Sequence, residues 1–91
     1  MSRTRAHLYI TGRVQGVGFR ANTRRQAHSQ NVNGWVRNLD DGRVEAVFEG
    51  DEDSVESLID WCHSGPRRAN VENVSVEYET PENIEGFRIK R

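Results

Sequence analysis

The first segment of the chain alternates between apolar and polar residues. Ala6, Leu8 and Ile10 are apolar, and polar or amphipathic residues separate them. Because successive side chains of a strand point to opposite faces of a sheet, this period of two predicts a half-buried strand. The strand leads directly into a glycine-rich segment, which is therefore expected at a strand end.

A helix is favoured from about residue 19 to residue 30, although its apolar stripe is thin. Ala21 and Ala27 supply that stripe, so the helix is predicted more from the glycine-rich motif before it than from periodicity. Asparagine tolerates the left-handed conformation that ends many helices, and Asn31 is expected to close this one.

Residues 32–39 and 43–49 are predicted to form a β-hairpin. The turn between them, residues 40–42, has the sequence Asp-Asp-Gly, which suits the dihedral angles of a tight turn. The second arm has one apolar face, which comprises Val44, Ala46 and Phe48.

A second helix follows the hairpin. Asp51 or Asp53 is a suitable N-cap, and Glu56 stands three residues after Asp53, as in a capping box. Gly65-Pro66 is a typical helix exit. The apolar positions fall on one helical face and comprise Val55, Leu58, Ile59 and Cys62.

Two further strands complete the predicted fold. One covers about residues 73–79, and Phe87 with Ile89 indicates a short final one. The order is βαββαβ with a possible extra terminal strand, which predicts an α+β sandwich. Its sheet is expected to be antiparallel with both helices on one face, because right-handed crossovers cover the same side. No linker or repeat divides residues 1–91, so one domain is expected.

The composition agrees with a small cytoplasmic protein. Ninety-one residues suffice for one core, and 34% of them are hydrophobic. No apolar stretch approaches the ~18 residues of a membrane span, and the N-terminus lacks the apolar run of a secretory signal. A single cysteine also favours a reducing compartment. No conspicuous apolar stripe indicates self-association, so a monomer is expected.

Charge is distributed unevenly along the chain. Residues 1–39 contain seven arginines and no acidic residue, whereas residues 40–91 contain six basic and fourteen acidic residues. An anion site is therefore expected in the first half. Arg20 is the candidate ligand of the anion. Four other arginines are expected on solvated faces and comprise Arg3, Arg5, Arg24 and Arg25. There they would attract a charged substrate at a distance.

The segment with the clearest chemical signature spans residues 12–20 and reads GRVQGVGFR. Glycines permit close backbone approach, and successive amides in such a turn form a concave anion site. A helix beginning near Gly18 would add its unpaired amides, and Arg20 would bind phosphate as a planar fork. The spacing differs from that of nucleotide-binding loops. The predicted phosphate loop comprises Gln15, Gly16, Val17, Gly18, Phe19 and Arg20, in which Gln15 is expected to shape the loop rather than contact substrate.

Two motifs together resemble the paired signatures of the acylphosphatase family. The first runs from Ile10 to Arg20, and the second from Gly34 to Asn38 with Gly42, Val44 and Gly50 at set intervals. The resemblance covers nearly the whole chain and thins before residue 6 and after Pro66. It implies a ferredoxin-like fold and hydrolysis of small acyl phosphates, with the phosphate bound by arginine and the water by asparagine.

The chemistry of an acyl phosphate suits these residues. Its leaving group is a carboxylate, whose conjugate acid has a pKa of about 4, so departure needs no proton. The reaction needs a cradle for the phosphoryl oxygens and a water held in line. Asn38 is a neutral amide that can hold water without repelling an anion, and a phosphate oxygen of the substrate is the hypothetical proton acceptor. No cofactor is expected, and no metal, since His7, His28 and His63 lack ligand spacing.

Alternative functions fit the sequence less well. Cys62 and Arg68 have the Cys-x5-Arg spacing of cysteine-dependent phosphatases, but Cys62 continues the apolar stripe of a helix and is expected to be buried. RNA-binding modules share the βαββαβ order but need aromatic residues on the central strands, where Tyr9 alone is a poor platform. No nucleic-acid partner is therefore expected. Related domains of hydrogenase-maturation factors bind carbamoyl phosphate, but those domains are parts of longer chains.

Overall fold

The computed structural model describes residues 2–91, which form five strands and two helices. In chain order these are β1 (Arg3–Arg13), α1 (Phe19–Ser29), β2 (Asn33–Asn38), β3 (Val44–Asp51), α2 (Glu52–Ser64), β4 (Asn70–Glu79) and β5 (Phe87–Ile89).

The strands form one sheet in the order β4-β1-β3-β2-β5. The pairs β1–β3, β1–β4 and β2–β3 are antiparallel, as expected, and the ferredoxin-like α+β fold is confirmed. The extra terminal strand β5 runs parallel to β2, so the complete sheet is mixed. The reason is the path of residues 80–86, which cross the end of the sheet and bring the chain to the start of β2. There the Gly34 amide donates to the Gly86 carbonyl at 2.9 Å.

Both helices pack on one face of the sheet and enclose a single core. The strands contribute alternate residues to this face, as the period of two requires. The core includes Ala6, Leu8, Ile10, Val36, Val44, Ala46 and Phe48 from the sheet, with Phe19, Ala27, Val55, Leu58 and Cys62 from the helices.

The buried face of α1 differs from the expected one. Phe19, Thr23 and Ala27 are buried at intervals of four residues, whereas Ala21 is exposed, so assigning Ala21 to the apolar stripe was wrong. Thr23 can occupy a core position because its hydroxyl donates to the Phe19 carbonyl at 2.7 Å. At the other end Asn31 has φ 57°, which confirms its left-handed conformation.

Helix α2 buries the apolar face that its spacing predicted, but it begins differently. Asp51 is the N-cap residue, yet its side chain makes no capping hydrogen bond, and Asp53 lies inside the helix, so no capping box forms. Instead, the Glu52 amide donates to the Ser2 carbonyl at 2.9 Å. A backbone acceptor from the N-terminal segment thus takes part of the role expected of the side chain. Neither helix between residues 2 and 91 has the length and apolar character needed to cross a bilayer.

Candidate active site

The glycine-rich segment connects β1 to α1 and presents backbone amides that have no protein acceptor. Gly16 and Gly18 have φ values of 73° and 80°, the left-handed region that glycine occupies without a steric penalty. Gly18 is the N-cap of α1, no side chain caps the helix, and its first turn contains no acidic residue. Among residues 2–91, no backbone acceptor pairs with the amides of residues 15–19. This helix terminus can therefore bind an anion.

Arg20 lies in the first turn of α1, next to these amides. Its side chain is half-buried, and no carboxylate in the described part of the chain lies within salt-bridge distance of it. A guanidinium without an acidic partner keeps its donors available for a ligand.

Asn38 is the last residue of β2 and pairs with Val44 across the hairpin. Its side-chain oxygen Oδ1 is buried, and no hydrogen-bond donor within residues 2–91 contacts it. Buried polar atoms are nearly always hydrogen-bonded in folded proteins. The orphaned oxygen is therefore a position where a donor from outside the protein, such as water, can bind.

Arg20 and Asn38 line the same pocket, which has a volume of about 220 Å³. Gly16, Gly18 and Phe19 also line it, so four of the six predicted loop residues and Asn38 meet there. The other lining residues were not predicted and are Val14, Ala21 and Ile89. For Ile89 no sequence signal was available, because its place depends on the parallel pairing of β5 with β2.

The two remaining loop residues point elsewhere. Val17 is buried in the hydrophobic core, with 5% of its surface exposed. The side chain of Gln15 turns towards the β2–β3 turn, where its Nε2 donates to the carbonyl oxygens of Leu39 and Arg43. Gln15 thus links the loop to the β2–β3 turn through contacts that the sequence did not reveal.

Cys62 cannot supply the nucleophile of a cysteine phosphatase in this structure. It lies within α2, is fully buried among apolar residues, and burial raises the pKa of its thiol. A reactive cysteine needs an accessible thiolate. The prediction that Cys62 is a packing residue is confirmed.

The face of the sheet opposite the helices carries a network of charged residues. His7 hydrogen-bonds Glu45 at 2.6 Å and Glu79 at 2.9 Å, and Arg37 donates to Glu45 at 2.6 Å. Burial opposes the charge of His7, but the two carboxylates outweigh it and raise the His7 pKa. Arg5 donates to the buried carboxylate of Glu49. Placing Arg5 on a solvated face was wrong, because only 7% of it is exposed.

This face also holds more aromatic rings than the sequence indicated. His7 stacks on Tyr9 at 5.1 Å, and Trp35 packs edge-on against His7, so Tyr9 is not alone. The rings already have cationic partners, since Arg43 lies over Tyr9 at 4.8 Å and Lys90 over Trp35 at 4.3 Å. The neighbouring carboxylates would repel a nucleic-acid backbone.

Three histidines were expected not to form a metal site. In the part of the chain from Ser2 onwards, no group of three or more His, Cys, Asp and Glu side chains is arranged to hold a metal ion.

Comparison with known proteins gives one consistent result. A family model described as Acylphosphatase matches residues 6–89. An acylphosphatase from Haloarcula marismortui is 60% identical over 90 residues, which cover 99% of both chains.

Solved structures show the same relationship at the level of the fold. The crystal structure of acylphosphatase from Bacillus subtilis has a TM-score of 0.94 and 35% identity, covering 97% of this chain and 99% of that one. An acylphosphatase from Coxiella burnetii has a TM-score of 0.93 and 40% identity, covering 97% of this chain and 93% of that one. Sequence similarity and structural similarity therefore indicate the same relatives over nearly the whole chain.

Proposed function

This chain belongs to the acylphosphatase family, hydrolases that act on the anhydride bond of acyl phosphates, and we propose how its pocket carries out that reaction. In the proposal, backbone amides of residues 15–19 and the Arg20 guanidinium bind the phosphoryl group, and the Asn38 carboxamide positions the attacking water.

The reaction breaks the bond between phosphorus and the acyl oxygen and forms one between phosphorus and the oxygen of water. The leaving carboxylate takes the electron pair of the broken bond and needs no proton at neutral pH. One proton of the water passes to a phosphate oxygen, which gives a carboxylate and dihydrogen phosphate. This chemistry requires positioning and charge stabilisation, and the proposal assigns no step to a metal or cofactor.

Phosphate binding is supported by the geometry of the β1–α1 loop. The left-handed Gly16 and Gly18 leave amides without protein acceptors at the start of α1, where the helix dipole favours negative charge. Arg20 adds a planar cation that has no carboxylate partner within salt-bridge distance in the described chain. Amides and guanidinium together can match the charge spread over three phosphoryl oxygens.

The observation that carries the water-positioning role is the buried, unpartnered Oδ1 of Asn38, a residue that lines the same pocket as Arg20. An acceptor that no protein group satisfies can receive a hydrogen bond from a water. A neutral amide does so without repelling the dianionic substrate, which a carboxylate at this position would do.

The substrates and setting follow from the same features. We propose that small acyl phosphates are the substrates and that the acyl part is weakly specified, because the site grips the phosphoryl end. The enzyme is proposed to act as a monomer in the cytoplasm, without a nucleic-acid partner. Two features support this: the lone cysteine is buried, and Ile89, one of two exposed large apolar side chains among residues 2–91, lies at the pocket.

Two substitutions test the division of roles with benzoyl phosphate as the substrate. Arg20→Gln should lower kcat/KM about 100-fold or more and weaken inhibition by inorganic phosphate, because it removes a phosphate ligand. Asn38→Ala should lower kcat about 100-fold with little change in phosphate inhibition, because it removes only the water ligand.

Matched controls are Arg67→Gln, in the exposed segment after α2, and Asn73→Ala, on the exposed edge of β4. Both variants should retain the parent rate. Full activity of Asn38→Ala would remove its water-positioning role. A salt-dependent RNA titration completes the test, since tight RNA binding without turnover would support a binding module instead.

A further inference from the structure

We propose that Gln15 is a positioning residue, which braces the β2–β3 turn against the phosphate loop and so fixes Asn38 relative to the bound phosphoryl group. This inference rests on the proposed function, because it concerns how the phosphate loop and Asn38 of that site are held in position relative to each other.

The geometry of the Gln15 carboxamide carries the inference. Its Nε2 lies 2.7 Å from the carbonyl oxygen of Leu39 and 3.0 Å from that of Arg43. A side-chain amide nitrogen has two protons, and both are used here. The Leu39 amide also donates to the Arg43 carbonyl at 2.8 Å, so these two residues close the turn after β2. Gln15 therefore crosslinks the closing pair of the turn.

The crosslink acts directly beside the proposed water ligand. Leu39 follows Asn38 in the chain, and its N–H, which belongs to the peptide unit shared with Asn38, donates to the same Arg43 carbonyl that accepts from Gln15. In the described chain, no other hydrogen bond joins residues 14–18 to residues 39–43. The loop itself is held elsewhere, because the end of β1 pairs with β4 and Asn22 donates to the Gly18 carbonyl.

Loss of the crosslink should therefore affect water positioning more than phosphate binding. The phosphate ligands belong to the loop and α1, whereas Asn38 belongs to β2, and only the relation between the two depends on Gln15. Displacement of a reacting group by about 1 Å can cost a factor of about 100 in rate. A partial loosening should cost less, and a decrease of about 10-fold in kcat is expected.

The first experiment measures Gln15→Met, which keeps the length of the side chain but removes both donors. The kcat for benzoyl phosphate should fall about 10-fold, while KM and the inhibition constant of inorganic phosphate change less than about twofold. Gln26→Met, at a half-buried position on α1, is the matched control and should leave both parameters unchanged.

A double-mutant cycle with Asn38→Ala separates positioning from a general structural effect. If Gln15 acts through Asn38, the Asn38→Ala protein has already lost what Gln15 provides, and adding Gln15→Met should not lower kcat further. If the two losses multiply, Gln15 acts through another group and the inference is overturned.

Gln15→Glu gives an independent measurement should the methionine variant fold poorly. The ionised carboxylate offers no donor to the two carbonyls, whereas the protonated carboxyl regains one. Relative to the parent enzyme at each pH, kcat of this variant should rise as the pH is lowered from 7 to 5. A deficit independent of pH, or full activity at pH 7, counts against the positioning role.

The outcomes distinguish this inference from the function on which it rests. Full activity of Asn38→Ala would contradict the water-positioning role itself. Loss of activity in Asn38→Ala together with an unchanged kcat in Gln15→Met would leave that role intact and overturn only the role of Gln15.

Discussion

Gly34 lies in β2 at a point where the neighbouring strand leaves no room for a side chain. Its φ is 139°, and an added Cβ would lie 1.8 Å from the Val47 carbonyl oxygen. We expect Gly34→Ala to lower the free energy of unfolding by about 3–5 kcal/mol, because the clash is with backbone and β3 must move. Urea denaturation followed by circular dichroism measures the loss.

Gly42→Ala is the matched control for this prediction. Gly42 also has a positive φ, 97°, but an added Cβ would meet nothing within 4 Å. Only the cost of a left-handed non-glycine residue remains, about 1–2 kcal/mol. Equal losses in the two variants would show that backbone conformation, rather than the contact with Val47, makes Gly34 necessary.

At this scale the sequence allowed predictions for residues whose proposed role depends on their own chemistry, but it did not reveal contacts between residues that are distant in the chain. Arg20 and Asn38 could be proposed because a cation and a neutral amide suit phosphate and water. The partners of Gln15 could not, because Leu39 and Arg43 are 24 and 28 residues away and only the folded hairpin brings their carbonyls together.

At the scale of elements, we expect α2 to support the proposed site only by packing, and Cys62 offers a test of this expectation. Cys62→Ser should lower the free energy of unfolding by about 1–3 kcal/mol, because it places a hydroxyl among the apolar residues of the core. The kcat for benzoyl phosphate should stay within about twofold of the parent where the variant is folded. Thermal melts and kinetics on the same samples provide both values.

Cys62→Ala serves as the control, since it removes the thiol without adding a hydroxyl. Loss of hydrolysis in both folded variants would restore the cysteine-phosphatase interpretation. Retained hydrolysis in both would leave α2 with a packing role alone.

Elements with a clear period were predicted well, whereas elements set by distant contacts were not. The hairpin turn and the buried face of α2 follow from local chemistry and spacing. Helix α1 has little apolar periodicity, and Thr23 occupies its core face only because its hydroxyl bonds within the helix. The orientation of β5 depends on where residues 80–86 cross the sheet, which no local pattern encodes.

For the whole molecule, stability depends on a buried carboxylate at the end of the sheet. Glu49 is fully buried, binds Arg3 and Arg5, and accepts hydrogen bonds from the backbone amides of Glu82 and Asn83. Burial alone would raise its pKa, but these donors outweigh burial and lower the pKa to about 2. Glu49 thereby joins β1 and β3 to the segment that leads to β5.

This network predicts how stability varies with pH. The depressed pKa of Glu49 means that its stabilisation is present above about pH 4.5 and is lost as the pH falls towards 2. The raised pKa of His7 has the opposite effect and limits stability at higher pH. The stabilisation by His7 is present below pH 6.5 and is lost as the pH rises through the His7 pKa of the folded state. Urea titrations from pH 2 to pH 8 should give a maximum between about pH 4.5 and 6.5.

Glu49→Gln should remove much of the dependence of stability on pH in acid. It should also lower stability by about 1–3 kcal/mol at pH 6, because buried Arg5 keeps its ion pair with Glu79 but loses the one with Glu49. Glu85→Gln, at an exposed position, is the control and should keep the parent profile. An unchanged acid limb in Glu49→Gln would show that other carboxylates control acid unfolding.

The strand order leaves β4, ten residues long, at one edge of the sheet, while the opposite edge is the three-residue β5. A long open edge can recruit strands from other molecules and so begin fibril growth. Glu72 and Glu77 stand along β4 without a salt-bridge partner in the described chain, and their repulsion between copies should hinder such growth at neutral pH. Added salt screens charges on the surface, so this protection against aggregation should weaken at high ionic strength.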